Sequence, residues 1–501
     1  MMDKSYSALT EHYREVKRLA GVQAVLEWDQ QTYMPDKANA YRAEQLTMLA
    51  GLTHQRKTDP RIGDWLAEAE LEAANLAPEA MANVRELRRR YEKSKKLPES
   101  LVKRIAHCAA SAHPVWIDAR QRNDFASFKP YLEQMIELKR EEADAIGYSE
   151  CRYDALLDDY EPGALTREVS QALADLKCEL IPLVQAIKES KVAQPGDVLK
   201  RHFPIEQQKS LAERAAAAIG FDFKRGRLDT THHPFCTELG PHDVRITTRY
   251  DERFFSTAFF GVLHEAGHGL YEQGLREDQY GLPVGSYCSL GFHESQSRLW
   301  ENIVGRSREF WTWLYPQAQA SFPSIKDVSL DQFYRAVNQV TPSLIRVEAD
   351  EATYNLHIII RFELEQELMD RKLQVSDLPQ AWNERYQNEL GLTPDSDYNG
   401  VLQDIHWSAG LIGYFSTYSL GNLYSAQLFA AAERELGELH SGFASGQFEH
   451  LFDWLHRNVF IKGASYGSAE LLKQATGSLL DHRPLIEYLR RKLSPLYELH
   501  V

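Results

Sequence analysis

Apolar and aromatic side chains recur at steps of three and four residues along most of this 501-residue chain. One such series begins at Leu9 and continues at Tyr13, Val16 and Leu19. This spacing lines one face of an α-helix, whereas a strand would alternate at every second residue. Stretches of this kind, rich in the helix-forming residues Ala, Leu, Glu, Lys and Arg, return over residues 64–95, 129–147, 164–190 and 206–219. The chain is therefore predicted to be mainly α-helical.

Turn-forming residues interrupt the helical pattern without marking a domain boundary. Gly and Pro occur at residues 160–165, 194–197, 321–324 and 392–400, where helices are expected to end. Neither a shift in composition nor a flexible linker accompanies them. We therefore expect residues 1–501 to form one large helical domain, which can bury its core without covalent cross-links.

Residues 227–250 differ from the helical stretches because they are rich in Thr and include Val and Ile. These residue types favour strands, and the Gly240-Pro241 pair in the middle favours a turn. The stretch therefore predicts a hairpin within a small antiparallel β-sheet. Asp251 follows directly and has a side chain suited to an N-cap, so a helix is expected to begin near it.

The sequence HEAGH, from His264 to His268, falls within that expected helix. Residues four apart on a helix lie about 6 Å apart on one face, so both imidazoles can bind one metal ion. Glu265 can then act on a water at the metal without being a ligand, which is the pattern of zinc metallopeptidases. The alternative is an ordinary helix with two solvated histidines. The motif favours a zinc site over that alternative.

A catalytic zinc ion needs a third protein ligand and an open fourth position. The metzincin continuation of the motif would place Gly at 271 and His at 274, but the chain has Tyr271 and Gly274. The next acidic cluster on an expected helix is at 291–305, where Glu294 is the natural third ligand. Spacing alone leaves three competitors, namely His293, Glu272 and Glu301.

Composition limits the partners and the compartment. The net charge of −15 argues against nucleic acid or an anionic membrane surface, since both need clustered Lys and Arg. Five scattered cysteines without a CxxC pair fit a reducing cytoplasm better than a disulfide framework. The first 21 residues lack the apolar core of a signal peptide, and no run of about 18 apolar residues predicts a membrane span.

With these motifs in view, the sequence resembles the carboxypeptidase Taq family of zinc enzymes. The resemblance covers nearly the whole chain, and the order of the motifs makes it specific. The motifs are WDQQTYMP (28–35), HPF (233–235), DVRIT (243–247), HEAGH (264–268), HESQ (293–296), IRVEAD (345–350) and GVLQDIHW (400–407).

The resemblance implies a zinc carboxypeptidase that releases single C-terminal residues from peptides with broad specificity. It makes His264, His268 and Glu294 the ligands of one zinc ion per subunit, which Co²⁺ can replace, and makes Glu265 the general base. It also implies a homodimer and a mainly helical fold with a deep central groove. Residues 1–200 would cover the groove, and residues 201–501 would carry the zinc site.

Four residues after position 340 are candidates for binding and turnover of the substrate. A free C-terminal carboxylate calls for a cation, and Arg346 in the IRVEAD motif is our choice because arginine binds carboxylates in a bidentate manner. Its alternative is a surface arginine paired with Asp350. His406 and Tyr418 could donate hydrogen bonds to the oxyanion or to the substrate carboxylate, with core packing as the alternative for each. Gln403 could orient the substrate.

The remaining candidates carry weaker signals. Arg245 is a possible substrate contact, but its alternative is a structural tie between hairpin and site helix. His233 could line the cleft. Asp350 and Glu348 are both candidates for the carboxylate that supports a zinc-binding histidine. Ser416 stands where we expect the family to have Pro, which would loosen a local turn.

Two other readings of the motifs remain at this point. One is another zinc peptidase of the same motif class, either an aminopeptidase or an endopeptidase. The other is a peptide-binding protein without catalytic activity. An aminopeptidase would need acidic groups for the substrate amine, whereas a carboxypeptidase needs an arginine.

Overall fold

The computed structural model describes residues 4–72, 76–193 and 195–499, and helices dominate them. The helices that precede the strands are α1 (Lys4–Thr32), α2 (Asn39–Lys57), α3 (Arg61–Leu71), α4 (Pro78–Lys96), α5 (Glu99–Arg122), α6 (Phe125–Ile146), α7 (Arg152–Leu157), α8 (Thr166–Glu189) and α9 (Ile205–Ala218). No helix in these described ranges is both long and apolar enough to cross a lipid bilayer. The prediction of a mainly helical chain is confirmed.

Three short strands form one sheet in the order β1-β3-β2. They are β1 (Gly226–Thr230), β2 (Cys236–Gly240) and β3 (Asp243–Thr248). Strands β2 and β3 form the expected antiparallel hairpin around Gly240-Pro241. Strand β1 instead runs parallel to β3, so the prediction of a purely antiparallel sheet is wrong for this pair. The reason is that β3 inserts between β1 and β2, which places β1 on the far edge of the sheet.

The helices that follow the sheet carry the candidate residues. They are α10 (Phe255–Gly274), α11 (Leu290–Arg298), α12 (Arg308–Ser321), α13 (Leu330–Val337), α14 (Tyr354–Met369), α15 (Leu378–Leu390), α16 (Ser416–Leu436), α17 (His440–Ala444), α18 (Glu449–Asn458), α19 (Ser468–Thr476) and α20 (Arg483–Tyr497). A π-helical segment, Leu299–Val304, continues directly from α11. Several of the connections are short 3₁₀ turns.

One predicted helix begins later than expected, and one predicted helical stretch contains two helices. The helix expected near Asp251 begins at Phe255, because the Asp251 carboxylate accepts a hydrogen bond of 2.7 Å from the Arg253 amide and closes a tight turn first. The stretch 64–95 is not one helix, since α3 ends at Leu71 and α4 begins at Pro78. Proline suits the first position of a helix, where its missing N–H has no intrahelical partner to lose.

The described chain divides into two compact units, each assembled from separate segments. The first unit comprises 1–94, 195–337 and 428–478, and the second comprises 95–194, 338–427 and 479–501. Each unit therefore combines residues from both sides of the expected division at residue 200. The single domain over residues 1–501 stays a prediction.

Helix α10 lies in the core of the first unit and is buried on nearly every side. Its first turns pack among aromatic rings, with 5.7 Å between the Phe255 and Phe333 centroids and 5.2 Å between those of Phe259 and Trp311. Strand β3 packs against the same helix through the buried Ile246. Because neighbouring elements pack around most of it, α10 is a rigid support for the histidines that it carries.

Candidate metal centre

Helix α10 presents His264 and His268 on one face, as the four-residue spacing requires. Their ring centroids lie 4.9 Å apart and the two planes are nearly perpendicular. Both side chains are largely buried, so the alternative of two solvated histidines on a helix surface is wrong.

Helix α11 brings Glu294 to these two histidines. Its Oε2 lies 3.4 Å from Nε2 of His268 and 3.7 Å from Nε2 of His264. The approach depends on Gly267, because a Cβ there would lie only 2.5 Å from the Gln296 carbonyl oxygen of α11. A side chain at this position would force the two helices apart.

The three side chains fit a zinc ion. One potential ligand atom from each of His264, His268 and Glu294 lies within 4.8 Å of the other two, and no other His, Cys, Asp or Glu group of this kind occurs in the described parts of the chain. Two imidazoles and one carboxylate are a usual ligand set for catalytic zinc, with a fourth position left open. The Nε2 atoms of both histidines face the same carboxylate oxygen, as convergence on one ion requires.

A carboxylate fixes the orientation of the first histidine. Nδ1 of His264 lies 2.8 Å from Glu301 Oε2, and since a carboxylate only accepts, Nδ1 donates and Nε2 is left for a metal. Burial lowers the pKa of His264, but the negative charges of Glu294, Glu301 and Glu265 outweigh it and raise the pKa to about 9. Metal binding would therefore displace a proton from this ring.

Glu301 and Arg298 complete the support of the ligands. The sequence left Glu301 as an alternative third metal ligand. In the structure it lies in the π-helical segment and pairs with His264. Arg298 donates from Nε to Glu294 Oε1 at 2.6 Å, which leaves Oε2 facing the histidines. The sequence reasoning missed Arg298, although its position four residues after Glu294 is a helical pairing distance.

Glu265 is buried beside the cluster without belonging to it. Burial raises its pKa to about 7, against the opposing charge of His264. A carboxyl group with a pKa near neutrality exchanges protons efficiently at physiological pH, as a general base must.

The other two competitors for the ligand position pair with each other. His293 Nε2 lies 3.0 Å from Glu272 Oε1. The ring of His293 stacks on that of His268, with centroids 4.4 Å apart and an angle of 20° between the planes. Burial and the charge of His293 lower the pKa of His268 to about 3, so its ring is neutral, as a metal ligand must be.

A second cluster, in the second unit, gathers the candidates that follow position 340. Gln403 Oε1 accepts from the backbone N–H of Arg346 at 3.0 Å. The Arg346 guanidinium donates to Tyr354 Oη at 3.0 Å and lies 5.1 Å from the centre of the Tyr418 ring. His406 Nε2 and Tyr418 Oη lie 3.3 Å apart. The structure thus brings these four candidates together.

Two charged residues that sequence reasoning missed complete this cluster. The Asp404 carboxylate pairs with Arg346 at 2.9 Å and with Arg361 at 2.6 Å. Burial raises the pKa of Asp404, but the two arginines outweigh it and hold the pKa well below the usual range. Burial lowers the pKa of His406 to about 4, so that ring is neutral at physiological pH. Asp404 lies within the GVLQDIHW motif, and this position could have identified it from the sequence.

The weaker candidates lie apart from these clusters or have other partners. Arg245 pairs with Asp243 at 2.8 Å and lies 4.1 Å above the Trp28 ring, which favours its structural alternative. His233 is exposed in the loop between β1 and β2.

Asp350 and Glu348 do not support a zinc-binding histidine. Asp350 accepts hydrogen bonds from Thr341 and from Thr353, just before α14, while Glu348 is exposed. The carboxylate at His264 is Glu301 instead, because α11 and its π-helical continuation run beside α10. Both sequence-based candidates for this support are therefore wrong.

Ser416 is the first residue of α16 and is fully buried. Its hydroxyl donates to the Gly413 carbonyl oxygen at 3.2 Å. Proline is common at the first position of a helix, so the expected proline is compatible with this position.

Comparisons with known proteins identify the family to which this chain is similar. The family model described as carboxypeptidase Taq (M32) metallopeptidase matches residues 8–493. The chain is 46% identical to thermostable carboxypeptidase 1 of Thermus thermophilus, over 99% of both sequences, and 41% identical to carboxypeptidase 1 of Bacillus subtilis, over 95% of both. A crystal structure of an M32 carboxypeptidase from Deinococcus radiodurans superimposes with a TM-score of 0.97 at 42% identity, covering 99% of this chain and 100% of that one. Metallocarboxypeptidase 1 of Trypanosoma cruzi gives a TM-score of 0.93 at 36% identity, with 99% of both chains covered.

Proposed function

The chain belongs to the carboxypeptidase Taq (M32) metallopeptidase family and is a metallocarboxypeptidase, and we propose that it uses zinc to release single amino acids from the C-terminus of peptides with broad specificity. The observation that carries this proposal is the cluster of His264, His268 and Glu294, with one potential ligand atom from each within 4.8 Å of the others. We assign one zinc ion to each subunit, with Co²⁺ able to replace it. We further propose a homodimer located in the cytoplasm, where a reducing environment suits the free cysteines.

Glu265 is the proposed general base. Zinc, when bound, polarises a carbonyl oxygen and makes a water molecule more acidic. Glu265 takes a proton from the attacking water and returns it to the leaving amine. Its burial and its pKa of about 7 support this role, because the same group must accept and then donate a proton near neutral pH.

Arg346 is the residue proposed to bind the C-terminal carboxylate of the substrate. It shares the single negative charge of Asp404 with Arg361, so these three side chains carry one uncompensated positive charge. The neutral His406 does not add to that charge. A buried positive charge without a counterion is costly, and the terminal carboxylate of a peptide would neutralise it. Gln403 holds the backbone of Arg346 in place.

His406 and Tyr418 are the proposed donors to a substrate oxygen. Their side chains lie 3.3 Å apart, and both are close to Arg346. A neutral imidazole and a phenol can each donate one hydrogen bond to a developing oxyanion without bringing a full charge.

The test compares one peptide in three forms: free, amidated at its C-terminus and acetylated at its N-terminus. Amidation removes the carboxylate, so we expect kcat/KM to fall roughly a hundredfold or more. The acetylated peptide should be cut almost normally, because no residue is assigned to the substrate amine. Arg346→Ala should be slow on the free peptide and lose little more on the amide, since both changes remove the same interaction.

Arg245→Ala is the matched control, because it removes an arginine that already has Asp243 and Trp28 as partners. Its ratio of free to amidated cleavage should equal that of the wild type. Rapid cleavage of the amidated peptide, or release of N-terminal residues, would refute the proposed release of C-terminal residues. Neither result would bear on the assignment of the metal ligands.

The ligand set has its own test. Glu294→Ala removes a ligand, whereas Glu301→Ala removes only the support of His264, for which a loss of roughly 10- to 100-fold in zinc affinity is typical. We therefore expect the larger loss for Glu294→Ala in a competition titration with a coloured chelator. The reverse order would overturn the assignment of Glu294 as ligand.

A further inference from the structure

The two histidines of the proposed zinc site are held in different ways. His264 donates from Nδ1 to Glu301, at 2.8 Å. The corresponding Nδ1 of His268 is buried and has no hydrogen-bond partner within the described residues. Histidines that bind metals usually donate their second N–H to a carboxylate or carbonyl oxygen, which fixes the ring orientation. Something else must therefore fix the ring of His268.

The ring of His293 is the neighbour placed to do this. It lies almost parallel to the ring of His268, at 20°, with 4.4 Å between centroids. Rotation of the His268 ring about its own bond would drive an edge into this flat neighbour. By contrast, the ring of His264 meets His268 edge-on, at 83°. The face-to-face contact with His293 therefore limits rotation of the His268 ring, and His264 lies close to the same ring.

His293 is itself held firmly. Its Nε2 lies 3.0 Å from Glu272 Oε1, and Glu272 is on α10 four residues after His268. The ring of Tyr287 covers it, with a centroid distance of 4.8 Å. Because His293 precedes Glu294 in the sequence, it also links the third proposed ligand to the second.

We propose that His293 is a positioning residue for the metal centre, and that its stacked ring orients His268 as the hydrogen bond from Glu301 orients His264. The inference rests on the proposed zinc site at His264, His268 and Glu294. The property that matters is the flat shape of the His293 ring beside His268. His293 itself does not bind the metal, since its Nε2 is hydrogen-bonded to Glu272.

Two substitutions at position 293 separate stacking from the other properties of the residue. His293→Phe keeps a flat ring and loses the bond to Glu272, whereas His293→Leu fills similar space without a ring. We expect the zinc dissociation constant of His293→Leu to rise roughly 10- to 100-fold and that of His293→Phe to stay within about threefold of the wild type. The measurement is competition with a coloured chelator.

Cobalt gives a second readout that is independent of turnover. The visible absorption of the Co²⁺ form reports ligand geometry, so its bands should shift in His293→Leu and remain in place in His293→Phe. Thermal unfolding of the metal-free proteins checks that each variant is folded. If His293→Leu fails to fold, His293→Asn carries the same test, because it also removes the ring.

The results separate failure of this inference from failure of the proposed site. If His268→Ala binds zinc as the wild type does, the proposed site itself is wrong. If His268→Ala loses zinc but His293→Leu matches the wild type in affinity and cobalt spectrum, the positioning role is overturned. Equal losses in His293→Phe and His293→Leu would also overturn it, since the bond to Glu272 would then matter and the stacking would not.

Discussion

Gly267 decides whether helix α11 can reach the histidines, and its replacement by alanine tests that conclusion directly. A Cβ at this position would lie 2.5 Å from the Gln296 carbonyl oxygen and 2.7 Å from the Ser297 Cα. Both are backbone atoms, so neither can swing aside as the end of a long side chain could. Since ordinary contact begins at 3.4 Å, α11 would have to move away by about 0.9 Å.

The expected loss of stability follows from two opposing effects. Alanine in a helix interior is favoured over glycine by about 1 kcal/mol. Overpacking against backbone that cannot yield costs up to about 3 kcal/mol. We therefore expect Gly267→Ala to lower the free energy of unfolding by about 2 kcal/mol.

The effect on the metal should be larger than the effect on the fold. Glu294 lies on α11, so a shift of about 0.9 Å is several times the tolerance of about 0.2 Å on metal-ligand distances. We expect zinc affinity to fall at least tenfold, as it does when the support of a ligand is removed. Urea unfolding of the metal-free protein and a chelator titration measure the two quantities separately.

Gly261→Ala is the matched control on the same helix. A Cβ there would meet only the Thr248 hydroxyl, at 3.5 Å, which is an ordinary contact. This variant should therefore be as stable as the wild type, or more stable by up to about 1 kcal/mol, and should bind zinc normally. If Gly267→Ala behaves like Gly261→Ala in both assays, the argument that Gly267 sets the position of α11 is refuted.

Three further predictions follow from the structure. Zinc should stabilise Glu265→Gln as much as the wild type, by about 4 kcal/mol when the free zinc concentration is a thousand times Kd, but the variant should lose almost all turnover. If Glu265→Gln and His264→Ala lose zinc equally, Glu265 is a ligand. Removing zinc from the wild type with a chelator should abolish turnover and the added stability together, and restoring zinc should return both; activity that persists in the metal-free enzyme would contradict the proposed mechanism. The carboxylates of Glu309 and Glu433, at 3.5 Å and 2.8 Å from its two ring nitrogens, raise the pKa of His440 from 6.5 to about 9. Its contribution to stability is therefore complete below pH 6.5 and is lost as the pH rises through about 9. His440→Gln should therefore destabilise the protein more at about pH 6 than at about pH 10, and a pH-independent difference in unfolding free energy would rule out this linkage.

Several features of this protein could be read from short stretches of sequence. The four-residue spacing of His264 and His268 places two imidazoles on one helix face in any helix. The turn at Gly240-Pro241 and the helical periodicity from Leu9 onward follow from local backbone geometry in the same way. The structure agrees with the sequence on these points because each depends only on residues within a few positions of one another.

The packing of distant elements decided the rest. Glu294 and Glu301 are seven residues apart, close to two full helical turns, so spacing could not tell the ligand from the residue that supports a ligand. Their roles are separated by how α11 and its π-helical continuation lie on α10, which the missing side chain of Gly267 permits. Likewise, Asp404 meets Arg361 across 43 positions of the chain. Such pairs are set by the three-dimensional arrangement of the helices, whereas the periodicity of a sequence fixes only the face of a helix on which a residue lies.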